Sequence, residues 1–329
     1  MALRPCLSES YLAFFVIMVS RRIFLKQSLT AAGALTIAPL RLRASPPEGI
    51  QFSLAEWSLH RTIRAGKLDH LDFPAKAKEF GFSTVEYVNG LFGGTKLSFK
   101  DAATNSLYLH DLLRRSRDAG VFNHLLMIDE EGPLAIPKEK QRIKAVDNHW
   151  KWFEVAQLLG CKTVRVNLHG KGDPEEKKIA SIDSLGRLGE MGKTLNLNVV
   201  VENHGGESSK GYWMADVMRQ VNLPNVGTLP DFGNFCVSHP WGTTQGKCKE
   251  AYDRYKGVEE LLAFAKGAVS AKSYDFDDHG EQPLIDYKRL LDIVRNSGFT
   301  GFIGVEYEGF NQPEEDGIRK TKALLEKYL

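Results

Sequence analysis

Glu202, Asp231 and Glu306 each close a short apolar run: residues 197–201 lead into Glu202-Asn203-His204, residues 226–229 into Pro230-Asp231, and residues 302–305 into Glu306. One carboxylate at a strand end is ordinary, because strand ends meet solvent. Three of them on three strands matter if the strands run parallel around one axis, since their ends then meet. Carboxylates crowded together repel one another, and the crowding is tolerated where a cation sits between them. Such a cage suits a particular chemistry. Removing a proton beside a carbonyl leaves an enediolate, whose charge a divalent ion or a lysine ammonium stabilises. One carboxylate takes the proton and a second group returns it. Return to the opposite face is epimerisation, return to the neighbouring carbon is aldose–ketose exchange, and loss of a β-substituent is elimination. These residue types serve all three and do not choose among them.

Positioning such groups requires strands with long returns between them. From about residue 52 the chain alternates β-rich runs with longer amphipathic ones. The pattern predicts strands at 52–57, 84–88, 122–127, 163–167, 198–202, 227–230, 268–272 and 302–306. Helices are predicted at 106–119, 138–159, 179–195, 214–221, 258–266, 287–296 and 317–329. Gly81, Gly120, Gly160 and Gly298 fall just past helical runs, where a left-handed residue ends a helix at little cost. Eight β–α alternations in roughly 285 residues match a single (β/α)8 barrel, the TIM barrel. A doubly wound open sheet would want a G-x-G-x-x-G turn after its first strand, and the chain has none there. Active sites of such barrels form at the C-terminal strand ends. Polar residues gather at those places: Trp57 and His60, Glu86, His124 with Asp129, Asn167 and His169, His204, Asn234, and Lys272 with Asp275. The longest connection, 233–250, follows the sixth strand and contains Pro240 and Trp241, as a loop that shapes a site would.

The chain has 329 residues, is 43% hydrophobic and carries a formal net charge of +2, a balance that gives no footing for a nucleic-acid binder. No apolar run reaches the ~20 residues of a membrane span. Near the start, Ser20-Arg21-Arg22-Ile23-Phe24-Leu25-Lys26 reads as a twin-arginine export signal. An apolar stretch at 28–40 and a cleavage region near Ala44 follow. The expectation is a signal region over residues 1–45, read by the twin-arginine export machinery, then a barrel domain over 46–329 that is periplasmic or otherwise exported, with no membrane anchor after cleavage. Met18 is an alternative start that would make residues 1–17 an over-extension. None of the four cysteines forms a Cys-x-x-Cys pair. Cys161 reads as a small core residue. Cys236 and Cys248 share one loop, and their spacing permits a disulfide in an oxidising compartment and equally permits two thiols.

The motifs Val201-Glu202-Asn203-His204, Pro230-Asp231-Phe232-Gly233-Asn234 and Gly304-Val305-Glu306-Tyr307-Glu308-Gly309 together resemble the xylose isomerase-like TIM barrels, the sugar phosphate isomerases and epimerases. The resemblance runs from Ser53 to the C-terminal helix. It implies one divalent ion (Mn, Mg, Zn or Co) held by a Glu of strand five, an Asp of strand six, a His of strand seven and a Glu of strand eight. Carried over, these are Glu202, Asp231 and Glu306, with the two glutamates doubling as the acid/base pair. The fourth ligand does not carry over: where relatives show His-x-Lys, this chain has Ser270-Ala271-Lys272. A serine hydroxyl is a poor ligand for a transition metal. His204, His279 or water would have to substitute, or Lys272 would neutralise the carboxylates without a metal. Asn234 stands where some relatives carry a second-sphere His.

The implied substrate is a carbohydrate, with Trp57, Glu86, Asn167, His169, His204 and Asn234 as candidate contacts and Lys272 as a catalytic cation. Trp57, Trp213 and Trp241 offer aromatic faces for a sugar ring. Glu86 suits a structural ion pair as well as it suits a sugar hydroxyl. His124 reads as a satisfied core histidine, and residues 138–142 as a solvated helix face. Within the helical run, Trp150 is expected in the core and Trp152 at the surface. The acidic loop 274–279 argues against a phosphorylated substrate and for a free or keto-sugar. The leading expectation is therefore an isomerase or epimerase. The alternatives are a keto-sugar or cyclitol lyase or hydratase on the same site, and a non-catalytic sugar-binding barrel. A metal-dependent DNA-repair nuclease is disfavoured for want of a basic surface and a richer His/Asp/Glu cluster.

Overall fold

The computed structural model of the protein describes residues 49–329. The expected signal region, with Arg21, Arg22 and Ala44, lies outside the described residues. Eight parallel strands alternate with helices: β1 Ile50–Ala55, β2 Thr84–Val88, β3 Phe122–Met127, β4 Thr163–Val166, β5 Asn198–Glu202, β6 Val226–Leu229, β7 Ala268–Ser273 and β8 Gly301–Tyr307. β1 pairs with both β2 and β8, and pairing runs stepwise from β2 to β6 and from β8 to β7. Single bridges, Thr228 with Ala265 and Asp231 with Ser270, join the β6 side to the β7 side. The result is the expected (β/α)8 TIM barrel, nearly closed. Its strands are buried on both faces, which explains why β5 reads as the unbroken run Val199-Val200-Val201 rather than as an alternation.

Ten helices cover the described barrel: α1 His60–Arg64, α2 Phe73–Glu79, α3 Phe99–Thr104, α4 Ser106–Asp118, α5 Glu139–Leu159, α6 Pro174–Leu195, α7 Gly211–Val221, α8 Arg254–Leu262, α9 Tyr287–Asn296 and α10 Glu314–Tyr328. Among them, none is long and apolar enough to cross a membrane. Local chemistry sets their ends. α6 starts five residues before the expected position because Asp173 caps it, Pro174 opens it and Glu176 completes a capping box. α8 is displaced toward the N-terminus of its predicted span. Asp253 caps it by accepting from the backbone N–H groups of Tyr255 and Lys256. Residues beyond Leu262 leave the helix so that the Phe264 carbonyl and the Lys266 N–H can bond Thr228.

The expectation for the tryptophans of α5 is reversed. Trp152 is fully buried, and its indole N–H donates to Glu131, whereas Trp150 is 39% exposed. Residues two apart lie on opposite faces of a helix. The buried set that includes Ala145, Val146, Trp152, Phe153 and Ala156 takes in Trp152 and excludes Trp150.

Candidate functional site

The C-terminal ends of β5 and β6 are locked together by one side chain. Asn203 accepts a hydrogen bond from the Asp231 N–H at 2.7 Å and donates to the carbonyls of Asp231 and Asn234. Asp231 then turns its carboxylate inward: Oδ1 accepts from the N–H groups of Gly233 and Asn234 at 2.8 and 2.7 Å. Asn234 in turn donates to Glu202 Oε1 at 3.0 Å. On the other wall, the β7–β8 register places Lys272 opposite Glu306, with Ser270 two residues earlier on the same face. Room for the lysine stem comes from Gly233, where a Cβ would stand 2.9 Å from Lys272 Cγ and Cδ.

The outcome is a cage. Ligand-capable oxygens of Glu202, Asp231 and Glu306 lie within 4.8 Å of one another, and the three residues are 0 to 3% exposed. Lys272 Nζ stands among them, 3.3 Å from Glu306, 3.9 Å from both Glu202 and Asp231, and 3.3 Å from Glu308. Burial works against its charge. The attraction of Glu306, Glu308, Asp231 and Glu202 outweighs that burial and holds the ammonium protonated. Burial pushes the Asp231 carboxyl up to about 8, against the pull of Lys272 and with the push of Glu202 and Glu306.

Ser270 makes the charge balance concrete. Its hydroxyl oxygen lies 2.7 Å from both Asp231 Oδ2 and Glu306 Oε2. A hydroxyl has one proton to donate, so serving both acceptors calls for a second proton shared within the group, or for a cation. Negative charge in excess, an oxygen donor set and a Glu202 Oε2 that lacks a well-formed hydrogen bond together fit a divalent ion. Glu202, Asp231 and Glu306 would hold it.

Neither histidine offered as a substitute ligand belongs to the carboxylate group: His279 is exposed, and His204 faces the rim. Burial, then Arg165 and Lys272, push His204 down to about 3, so its imidazole is neutral. Asp275 turns away from the cavity to accept from Tyr307 Oη and from the Phe310 and Asn311 N–H groups. That loop is thereby braced by its own acid, which removes Asp275 from the charge facing a ligand.

The remaining predicted contacts divide between wall and frame. Asn167 donates to Asp129 at 2.7 Å, and its own oxygen is buried without a partner, as is that of Asn234. Trp57 donates its indole N–H to Glu308 and stacks on His60 at 4.4 Å, forming the rim above Lys272. Among the described residues Glu86 makes no ion pair; it accepts from Ser53 and lies against Gly304, where a Cβ would approach its carboxylate to 2.8 Å. His169 is exposed beyond β4. Trp213 lies in the core of α7, with its N–H on the Pro174 carbonyl, away from any ring it was expected to stack on. His124 is buried as expected, against the Gly267 carbonyl.

Two residues of the site escaped the sequence reading. Arg165 of β4 reaches Glu202 Oε2 at 2.8 Å and Asp129 Oδ1 at 2.6 Å. Glu308 flanks Lys272. Both had a signal: Arg165 precedes Asn167 by two, and Glu308 follows Glu306 by two, the spacing that keeps side chains on one face of a strand.

A sequence model of the xylose isomerase-like TIM barrel family matches residues 74–328. Comparison with curated proteins gives no match. Among solved structures, a D-tagatose 3-epimerase-like protein superimposes with a TM-score of 0.64 at 16% identity, covering 84% of this chain and 96% of the other. The 3-keto-D-glucoside 4-epimerase of E. coli gives 0.58 at 14%, covering 85% and 99%. An IolI protein with a bound zinc atom gives 0.58 at 15%, again covering 85% and 99%. At these identities the likeness is one of fold.

Proposed function

This chain belongs to the xylose isomerase-like TIM barrel family, and from that premise we propose that it is a carbohydrate isomerase or epimerase working by proton abstraction beside a carbonyl of a free or keto-sugar. The observation that carries the proposal is the convergence of Glu202, Asp231 and Glu306 on Lys272 in a buried cage at the C-terminal strand ends. Neighbours of the same fold that are sugar epimerases support the choice of substrate class.

Glu202 and Glu306 rise from different strands of the cage, β5 and β8, and in this reading one takes a proton from a bound sugar and the other returns it. Glu202 accepts a hydrogen bond from Asn234 at Oε1, and its Oε2 stands 2.8 Å from Arg165 Nε as an ion pair without a well-formed hydrogen bond. Glu306 is held by Ser270 and Lys272. The Lys272 ammonium, fixed among these carboxylates, would stabilise enediolate oxygen charge without reorganising. Burial of the cage excludes water, which strengthens that interaction. A divalent ion bound by the three carboxylates would add Lewis-acid stabilisation of the same charge. Its donors here are all oxygen, a set that favours Mg2+ or Mn2+ over Zn2+. We also propose that the mature barrel is exported; the Arg21-Arg22 motif and a disulfide between Cys236 and Cys248 support this.

The test is solvent-deuterium exchange into a panel of free and 3-keto sugars. Exchange at one carbon is expected, and Glu202→Gln and Glu306→Gln should each lower its rate by at least ~10²-fold with thermal midpoints near that of the parent. Exchange that persists in both variants removes the acid/base assignment. An unsaturated product in place of an exchanged sugar would reassign the site to elimination.

A further inference from the structure

Trp241, on the loop after β6, is a large aromatic side chain whose backbone the fold holds in place and whose ring it leaves open. It is 50% exposed, and among the described residues its indole N–H has no hydrogen-bond partner. Its backbone is anything but loose. The Cys236 N–H donates to the Gly242 carbonyl at 2.8 Å, and the Gly242 N–H donates to the His239 carbonyl at 3.1 Å. The Cys236–Cys248 bridge closes the same loop. On either side of the tryptophan the loop backbone is pressed onto the end of β5. A Cβ at Gly205 would lie 2.5 Å from the carbonyl oxygens of His239 and Pro240, and one at Gly242 would lie 2.5 Å from the Gly205 nitrogen. Both glycines have positive φ, +92° and +71°, so a side chain is excluded by conformation as well as by space. The indole meets the His204 ring edge-on at 5.5 Å, and His204 lies two residues beyond Glu202.

An apolar face pinned against the ring of His204, two residues beyond Glu202, is suited to cover a second ring of a ligand whose first ring lies at Glu202. Aromatic faces pack against the C–H faces of sugars, and a pre-positioned one does so with little ordering cost. We infer that Trp241 is the platform of an outer saccharide subsite, so that the ligands of this barrel are glycosides or disaccharides rather than single sugar rings. This rests on the carbohydrate reading above and narrows it. His204, two residues beyond Glu202 and edge-on to the indole at 5.5 Å, marks the boundary between the two rings.

The test reads binding alone. Isothermal titration of the disulfide-intact protein with cellobiose, maltose and lactose, and with glucose and galactose, should show at least one disaccharide bound about tenfold more tightly than its component monosaccharides. Trp241→Ala should bring that ratio to about one while leaving monosaccharide affinity and the melting temperature as they were. Trp241→Phe should keep most of the preference. No disaccharide preference in the parent protein, or a preference that survives in Trp241→Ala, overturns the subsite. Loss of exchange in Glu202→Gln is read separately: if that loss is seen and the disaccharide ratio does not respond to residue 241, the subsite falls and the isomerase reading stands. The reverse pattern keeps the subsite and removes the chemistry.

Discussion

Ser270 places a hydroxyl where a fourth metal ligand would stand, within 2.7 Å of both Asp231 and Glu306. Replacing it with histidine would put an imidazole nitrogen between two carboxylates, a donor set that Zn2+ and Co2+ prefer to oxygen alone. Ser270→His should therefore tighten Zn2+ binding by at least about tenfold in calorimetry, with a smaller change for Mg2+; equal affinities would mean that residue 270 does not face the ion. Glu86 carries a different consequence. Burial, aided by the charges of Glu306 and Glu202 and opposed by the Ser53 hydroxyl, pushes its carboxyl from 4.5 up to about 7. The folded protein then keeps a proton that the unfolded chain releases. That contribution is complete below pH 4.5 and is lost as the pH rises through 7, at most about 3 kcal/mol across the window. His124 and His149, each pushed down to about 4 by burial, act in the opposite sense, losing stability as the pH falls below 6.5. Comparison with Glu86→Gln isolates the carboxyl. The stability difference between parent and variant, from urea midpoints at pH 5 to 8, should shift steadily in favour of Glu86→Gln as the pH rises. A difference that does not change with pH would contradict a neutral buried Glu86.

At the scale of elements, the connection between β6 and α8 is held as firmly as a strand. Cys236 pairs with Ala251, Arg254 donates to the Phe232 carbonyl and to Thr244, and the disulfide closes twelve residues. A bridge over so short a loop restricts the unfolded chain by about 2–3 kcal/mol. Cys236→Ala/Cys248→Ala should therefore fold but unfold at lower denaturant, by an amount near the low end of that range because backbone pairing persists. A loss below a few tenths of a kcal/mol would mean that the bridge closes a loop already ordered without it. The strands themselves were readable within one or two residues, since short runs rich in apolar residues alternate with longer ones of helical period. Helix starts were less so. α6 and α8 begin at Asp173 and Asp253, caps that precede the apolar periodicity on which the prediction relied. Trp150 and Trp152 show a related limit: in a helix covered on more than one face, two apolar residues two apart do not reveal which is inward. The cage was legible because its three acids end strands. Arg165 was hidden because it lies inside β4, where a charge signals function only once the strand is known to face an enclosed polar site.

For the whole molecule, the carboxylates of the cage come from β5, the segment just after β6, and β8, so the cage needs both edges of the nearly closed barrel. A metal bound there is bound by folded protein only. The twin-arginine route carries folded cargo, so the proposed export and a proposed ion in the buried cage would fit one order: the barrel would close and take up its ion first, cross second, and form the Cys236–Cys248 bridge last, in the oxidising compartment. Each stage leaves a mark. The full-length parent should fractionate to the periplasm, shortened at its N-terminus, with Cys236 and Cys248 resistant to alkylation. Arg21→Lys/Arg22→Lys should remain in the cytoplasm at full length with both cysteines open to alkylation, and Cys161 should be protected in both forms because it is buried in the core. Metal content per folded chain should be the same in the two fractions. Export of the double-lysine variant, or retention of the parent, would remove the targeting assignment. An empty cage in the cytoplasmic fraction beside a filled one in the periplasm would reverse the order of loading and crossing.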